Sequence, residues 1–164
     1  MSNQTSGGPA GTNPVRIGVG RFGRPSGNAI VTLAGRLVGA GLLAAMSGIH
    51  LHLYNSGYRG IATIGPLFLL NGVLGVLAAI AVLVSPRRWL GWLSLAGAAL
   101  QAGTLLALIL SLTVGLFNFT ESTRAPLLWT TIAVESAGAL VLLVIAVREL
   151  WPRLRARTAR HRAG

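Results

Sequence analysis

"IGPLFLLNGVLGVLAAIAVLVSPRRW", residues 64 to 89, runs from Ile64 to Val84 without one charged side chain, then closes on Arg87, Arg88 and Trp89. About 20 apolar residues in helical form cross the ~30 Å hydrocarbon layer of a bilayer. The stretch therefore reads as a membrane span whose end is marked by basic and aromatic anchors, the side chains that favour the headgroup level. Three further runs of the same character surround it. Spans are expected at about 29–53, 63–84, 89–115 and 127–150. "SPRR" at 85–88 forms the turn between the second and third, and "FNFTESTRAP" at 117–126 separates the third from the fourth. Thr63 is placed to cap the second helix, and Pro66 falls in its first turn, where a missing N–H costs little. Short connections make sequential helices antiparallel neighbours. The expected fold is an all-α, polytopic, four-helix antiparallel transmembrane bundle spanning 29–152.

Composition agrees with that reading. The chain of 164 residues is 52% hydrophobic and only 10% charged, against about 25% charged in an average soluble domain. Residues 1–28, rich in Gly, Pro, Ser, Asn and Thr, are expected to be a disordered tail, and 153–164 a basic one. There is no cysteine, which excludes disulfides, thiolate metal sites and thiol catalysis. The net charge of +11 comes entirely from arginine on the basic side, since lysine is absent. Clustered at chain ends and in one loop, these arginines fit anionic lipid headgroups better than nucleic acid. No nucleotide loop, serine triad or zinc-protease motif occurs, so no enzyme is expected.

The arginines also orient the chain. Eleven (16, 21, 24, 87, 88, 148, 153, 155, 157, 160 and 162) fall on one side of the four spans, whereas only Arg59 and Arg124 fall on the other, and Arg36 lies within the first span. Positive charge stays inside. Both termini are therefore expected in the cytoplasm, with the protein multi-pass in the plasma membrane.

From "HLHLYNSGYRGIATIGPLFLLNGVLGVLAAIAVLV", residues 50–84, the chain resembles small four-span integral membrane proteins of high-GC actinobacteria, through His50, Leu53, Gly57, Tyr58, Arg59, Ile61, Thr63, Ile64, Gly65, Leu67, Phe68 and Asn71. The resemblance implies the fold and an envelope location. It implies no reaction, because that group has no assigned activity.

His50 and His52 are the most conspicuous chemical residues. At 100° per residue, Arg36, Ala40, Leu43, Ser47, His50 and Tyr54 share one helix stripe, while His52 points away. Two histidines at i and i+2 on a helix do not share a metal, for which i and i+4 spacing is used. A bis-histidine haem needs a partner on another helix, and the third histidine is His161 in the tail. Neither metal nor cofactor is expected. His50, Tyr54 and Tyr58 are candidate contacts at the outer face.

A polar layer is the stronger signal. Counted at 1.5 Å per residue from the outer ends, Asn71 and Glu135 lie at about 12 Å depth, Ser47 at about 9 Å, Thr104 at roughly 16 Å and Gln101 at about 21 Å. Heptad-spaced Ser94, Gly97, Gln101, Thr104, Leu108, Ser111 and Gly115 line one face of the third span, and Thr131, Glu135, Gly138 and Leu142 one face of the fourth. Glu135 is an ionisable group at a depth where charge is expensive, so it faces the interior. It either joins Asn71 and Thr104 or Gln101 in a hydrogen-bonded layer or accepts a proton or ligand. At the inner side Arg36 can snorkel, with Glu149 as a partner.

The leading expectation is a non-enzymatic accessory or scaffold component of the envelope, packing with itself or a larger complex through small-residue faces. The alternative is a small transporter or a ligand- or proton-binding protein that uses the layer around Glu135. A membrane redox subunit ranks third for want of a cofactor-binding pair.

Overall fold

The structure, a computed structural model, describes residues 27–162, apart from the side chains of 156, 157 and 159–162. Four helices follow in order: α1 Gly27–Ser56, α2 Ile64–Val84, α3 Arg87–Thr113 and α4 Leu128–Arg162. All four contain segments long and apolar enough to cross a membrane. Their outward faces carry Leu37, Leu77, Ile80, Leu106 and Leu140, each more than half exposed. Faces of that kind are compatible with lipid and not with water. The protein is an all-α integral membrane bundle.

The expected first tail, up to residue 26, lies outside the described residues, as do 163 and 164. Other boundaries differ in informative ways. Pro86, extended at φ −59° and ψ 149°, breaks the chain between α2 and α3, so Arg87 and Arg88 belong to the first turn of α3 and not to the connection. Gly115, at φ +81°, ends α3, its N–H reaching back to the Leu110 carbonyl; glycine tolerates this left-handed geometry without a Cβ clash. α4 does not stop at residue 150 or 152 but continues through Pro152 to Arg162. The following Leu, Arg and Ala residues are good helix formers, and Arg153 folds back to donate to the Arg88 and Arg87 carbonyls at 2.6 and 3.0 Å.

Thr63 occupies the N-cap position of α2 but makes no capping hydrogen bond with its side chain. Its φ of 65° is left-handed and does not present Oγ to the first turn. Backbone contacts do the closing instead, Gly65 N–H donating to Ile61 at 2.9 Å. A Cβ at Gly65 would lie 2.8 Å from both the Tyr58 and Arg59 carbonyls, so the 3-10 turn Tyr58–Gly60 is pressed against the start of α2.

Packing is antiparallel and close. α1 lies along α2, α3 along α4, and α1 also crosses α4. Glycines set the distances: Gly75 faces Ser47 and Met46, Gly39 faces Leu142, Gly91 faces Leu150, and Gly138 is covered by the Gln101 side chain. Leu43, Met46, Val82, Leu90 and Leu142 fill the centre. The stripes expected from helical spacing are inside, with Ala40, Leu43, Ser47 and His50 buried on α1 and His52 exposed. Both described ends of the chain lie at one end of the bundle, together with most of the arginines among the described residues. The other end carries the Tyr58–Gly60 turn and the connection 114–127.

Candidate functional site

The two ends of the bundle handle polar groups differently, and the arginine-rich end is the simpler. Arg36 does not pair with Glu149. Its guanidinium donates to the Ser85, Leu83 and Val82 carbonyls at 2.8, 2.9 and 3.3 Å, satisfying the last turn of α2, where carbonyls lack helical partners. Glu149 instead meets Arg87 Nε at 3.2 Å and Arg153 at 3.8 Å.

At the opposite end a cavity of about 280 Å3 lies among the helices. Its wall reaches the lipid-facing surface between α2 and α3, where the lining residues Leu67, Leu70, Leu74 and Gly103 are exposed. The connection 114–127 covers its top. Phe117 and Asn118, both at positive φ, make a two-residue turn closed by reciprocal hydrogen bonds between Leu116 and Phe119. The Glu121 N–H then donates to Ser111 O at 3.0 Å and ties the connection to α3. This brings Glu121 to the cavity, where its Oε2 accepts from the Tyr58 hydroxyl at 2.7 Å. Burial, and then the carboxylate beside it, push the Tyr58 phenol above its ordinary pKa.

The expected polar residues are distributed unevenly around this space. Asn71, Thr104 and Glu135 line it together with His50 and Tyr58. Ser47 does not; it donates to Leu43 O within α1 and borders a lipid-facing groove between α1 and α2. Tyr54 is half-buried outside the cavity. Gln101 is fully buried against Gly138. Nor is the layer a hydrogen-bonded network. Thr104 donates to carbonyls of its own helix, at 2.9 Å to Gln101 and 3.1 Å to Leu100. Among the described residues, both amide atoms of Asn71 and of Gln101 make no hydrogen bond, and the carboxyl oxygens of Glu135 make none of ordinary geometry, with the Thr104 hydroxyl beside them as the available donor.

The nearest charged-group contact of Glu135 is one that sequence spacing did not pair: His50 Nε2 lies 3.7 Å from its Oε1. Glu135 is 1% exposed. On its other side, the His50 ring places Nδ1 3.0 Å from the Met46 carbonyl. A carbonyl only accepts, so Nδ1 carries the proton of the neutral ring and Nε2 presents a lone pair to Glu135. Phe68 packs 5.1 Å from the His50 ring and stacks on Tyr58 at 4.7 Å, with Phe119 edge-on to Tyr58. Among the described residues no three metal-ligating side chains converge.

Glu121 lines the cavity although nothing in its sequence context marks it for that place. An acid in a polar loop reads as solvated, and only the tight turn at Phe117 and Asn118 carries it back over the bundle. Compared with known protein families, curated proteins and solved structures, the chain matches none.

Proposed function

We propose that the protein is a non-enzymatic, ligand-binding membrane protein of the plasma membrane, whose cavity takes a small, largely apolar molecule carrying a polar head. One observation carries this reading: a carboxyl group that is 1% exposed, with neither oxygen in a hydrogen bond of ordinary geometry among the described residues, faces a cavity of about 280 Å3. A buried polar group without partners costs stability and persists where function requires it. The volume is near the lower limit of small-molecule sites, and the gap between α2 and α3 gives access from the lipid. Under the positive-inside rule the cavity lies in the outer half of the bilayer, with both termini cytoplasmic. The kinship with actinobacterial four-span proteins, inferred from residues 50–84, belongs to the same proposal.

Occupancy is read as stabilisation. A ligand at a hundred times its Kd raises unfolding free energy by about 2.7 kcal/mol. We expect phenethyl alcohol or a similar aryl compound to raise the detergent unfolding midpoint, and Gly103→Leu to abolish the rise. Gly103 is exposed at the lipid-facing mouth of the cavity and has open space where a side chain would go, so the variant obstructs the mouth without disturbing the helices. No rise with any small aryl compound contradicts the proposal. Orientation is tested with single cysteines, since the chain has none: Ser56→Cys and Thr123→Cys should react with an impermeant thiol reagent from outside cells, and Thr158→Cys should not.

The accessory role keeps one specific support. Gly41 and Gly48 border the groove between α1 and α2, and a Cβ added at either would meet nothing within 4 Å, a surface that admits a helix from another chain. Cross-linking between copies through Gly41→Cys tests it.

A further inference from the structure

Resting on the ligand-binding reading, we propose that His50 and Glu135 form a proton–cation exchange site: the pair holds one proton and releases it when a primary organic ammonium enters the cavity.

With Nδ1–H committed to Met46 O, a neutral His50 and an ionised Glu135 would set two acceptors against each other at 3.7 Å. One additional proton removes the conflict, whether it sits on the carboxyl or on Nε2. In either form the pair is neutral overall, which suits its depth in the bilayer. Removing that proton leaves one net negative charge in a low-dielectric setting, and this is costly unless another cation takes its place. An ammonium nitrogen can do so by donating to both Glu135 Oε1 and His50 Nε2. Asn71 Oδ1, an unpartnered acceptor on the same cavity, suits the third N–H of a primary amine.

The charge distribution selects the same ligand. The chain has fourteen arginines and three acids. Two of the acids, Glu121 and Glu135, line the cavity, whereas among the described residues no arginine does. The third, Glu149, is paired at the far end. The titratable groups facing the pair are few. α1 supplies His50 and α4 Glu135, the connections supply Tyr58 and Glu121, and α2 and α3 contribute only non-titrating side chains such as Asn71 and Thr104. The cavity is therefore acidic in a basic protein. Its aromatic wall of Phe68, Tyr58 and Phe119 favours a cation by ring quadrupole and an apolar body by burial. At about 30 Å3 per water-sized group, the space suits a ligand on the order of ten non-hydrogen atoms.

Exchange needs no redox partner and breaks no covalent bond except the N–H or O–H of the shared proton. That proton leaves along the cavity to water, and the ammonium arrives already charged. Binding is then competitive with protons, and affinity for the amine rises with pH.

Calorimetry on the full chain in nanodiscs tests this with phenethylamine, its quaternary trimethyl analogue and the neutral phenethyl alcohol. Between about pH 5 and 8, phenethylamine should bind up to about tenfold more tightly per pH unit and release about one proton per molecule bound. The alcohol should show neither effect. The quaternary analogue, lacking N–H, should bind more weakly than the primary amine. Glu135→Gln should weaken phenethylamine by at least about tenfold, the scale of a lost charge-assisted contact, and remove both the pH dependence and the proton release. Should that variant not fold, proton release by the unmodified protein still decides. Amine and alcohol binding alike, without proton release, would overturn exchange and leave the cavity reading standing. A proton release that persists in Glu135→Gln would also overturn it, because the proton would then belong elsewhere. Failure of all three compounds to bind would remove the cavity reading along with it.

Discussion

The arginine-rich end of the bundle and the cavity end use polar residues in opposite ways. At the first, Arg36 satisfies three carbonyls at the end of α2, Arg153 reaches two at the start of α3, and Glu149 sits between Arg87 and Arg153. Close glycine contacts lie beside them. At the second, Glu135 and Asn71 are buried without hydrogen bonds and face a space. The difference separates polar groups that hold helices together from polar groups that are held ready by them. Among the described residues the Ser85 and Ser94 hydroxyls nearer the arginine-rich end and the Gln101 amide outside the cavity also lack partners, but the carboxyl in that state is at the cavity end, where an unmade hydrogen bond, about 1–3 kcal/mol and more for a charged group, costs most.

The contrast breaks most visibly at two glycines on α3. A Cβ at Gly91 would come 2.8 Å from Leu150 and 3.2 Å from the Glu149 Cβ, whereas Gly103 has open space. Gly91→Leu should lower unfolding free energy in detergent by about 3 kcal/mol, the upper range for overpacking. Gly103→Leu should change it by less than about 0.5 kcal/mol. Equal losses would mean that α3 is packed uniformly and that the cavity is not a distinct region.

Next in size is Arg36. Its replacement by leucine leaves α2 carbonyls without their donor and should cost about 2 kcal/mol, within the range for charged hydrogen bonds. Glu149→Gln should leave this effect unchanged, since the two side chains do not pair. Coupling between Arg36 and Glu149 in a double-mutant cycle would restore the ion pair expected from sequence.

A smaller effect sharpens the description of the cavity mouth. Tyr58→Phe removes the hydrogen bond to Glu121 and should cost about 1 kcal/mol at neutral pH. The folded-state pKa of Tyr58 is raised above its unfolded value, so its contribution is complete below about pH 10 and is lost as pH rises further. The stability difference between Tyr58→Phe and the unmodified protein should therefore shrink above that pH. A difference that grows with pH would show that Glu121 is not the partner.

How much of this is legible in the sequence follows from what kind of information each feature needs. The helices can be read because each is a long apolar run with at most one charged side chain away from its ends, bounded by Arg, Pro or Gly, and these signals are local. Burial of Glu135 is legible for the same reason: an acid one helical turn from Thr131 and Gly138 on the same face has only the interior to occupy. Its neighbour is not. His50 and Glu135 meet because α1 crosses α4, and helical periodicity on either segment says nothing about that crossing. Arg36 points to Glu149 in the sequence because side-chain charge is visible there, whereas the carbonyls of Val82, Leu83 and Ser85 belong to every residue and mark no partner. Glu121 depends on a turn at Phe117 and Asn118, two residues whose positive φ is uncommon for non-glycine positions. The continuation of α4 beyond Pro152 is hidden by a residue that usually ends helices.

If Glu135 is retained for ligand binding and not for the fold, Glu135→Leu separates the two roles when unfolding free energy and phenethylamine binding are measured on the same preparation. A carboxyl whose closest charged-group partner, His50 Nε2, stands 3.7 Å away across a cavity gives up little when replaced by an apolar side chain. The expected result is stability equal to or above that of the unmodified protein, to within about 0.5 kcal/mol, with amine binding lost. A loss of roughly 0.6 to 2 kcal/mol, the scale of intramembrane hydrogen bonds, with amine binding intact, would contradict it and make Glu135 a structural tie between helices.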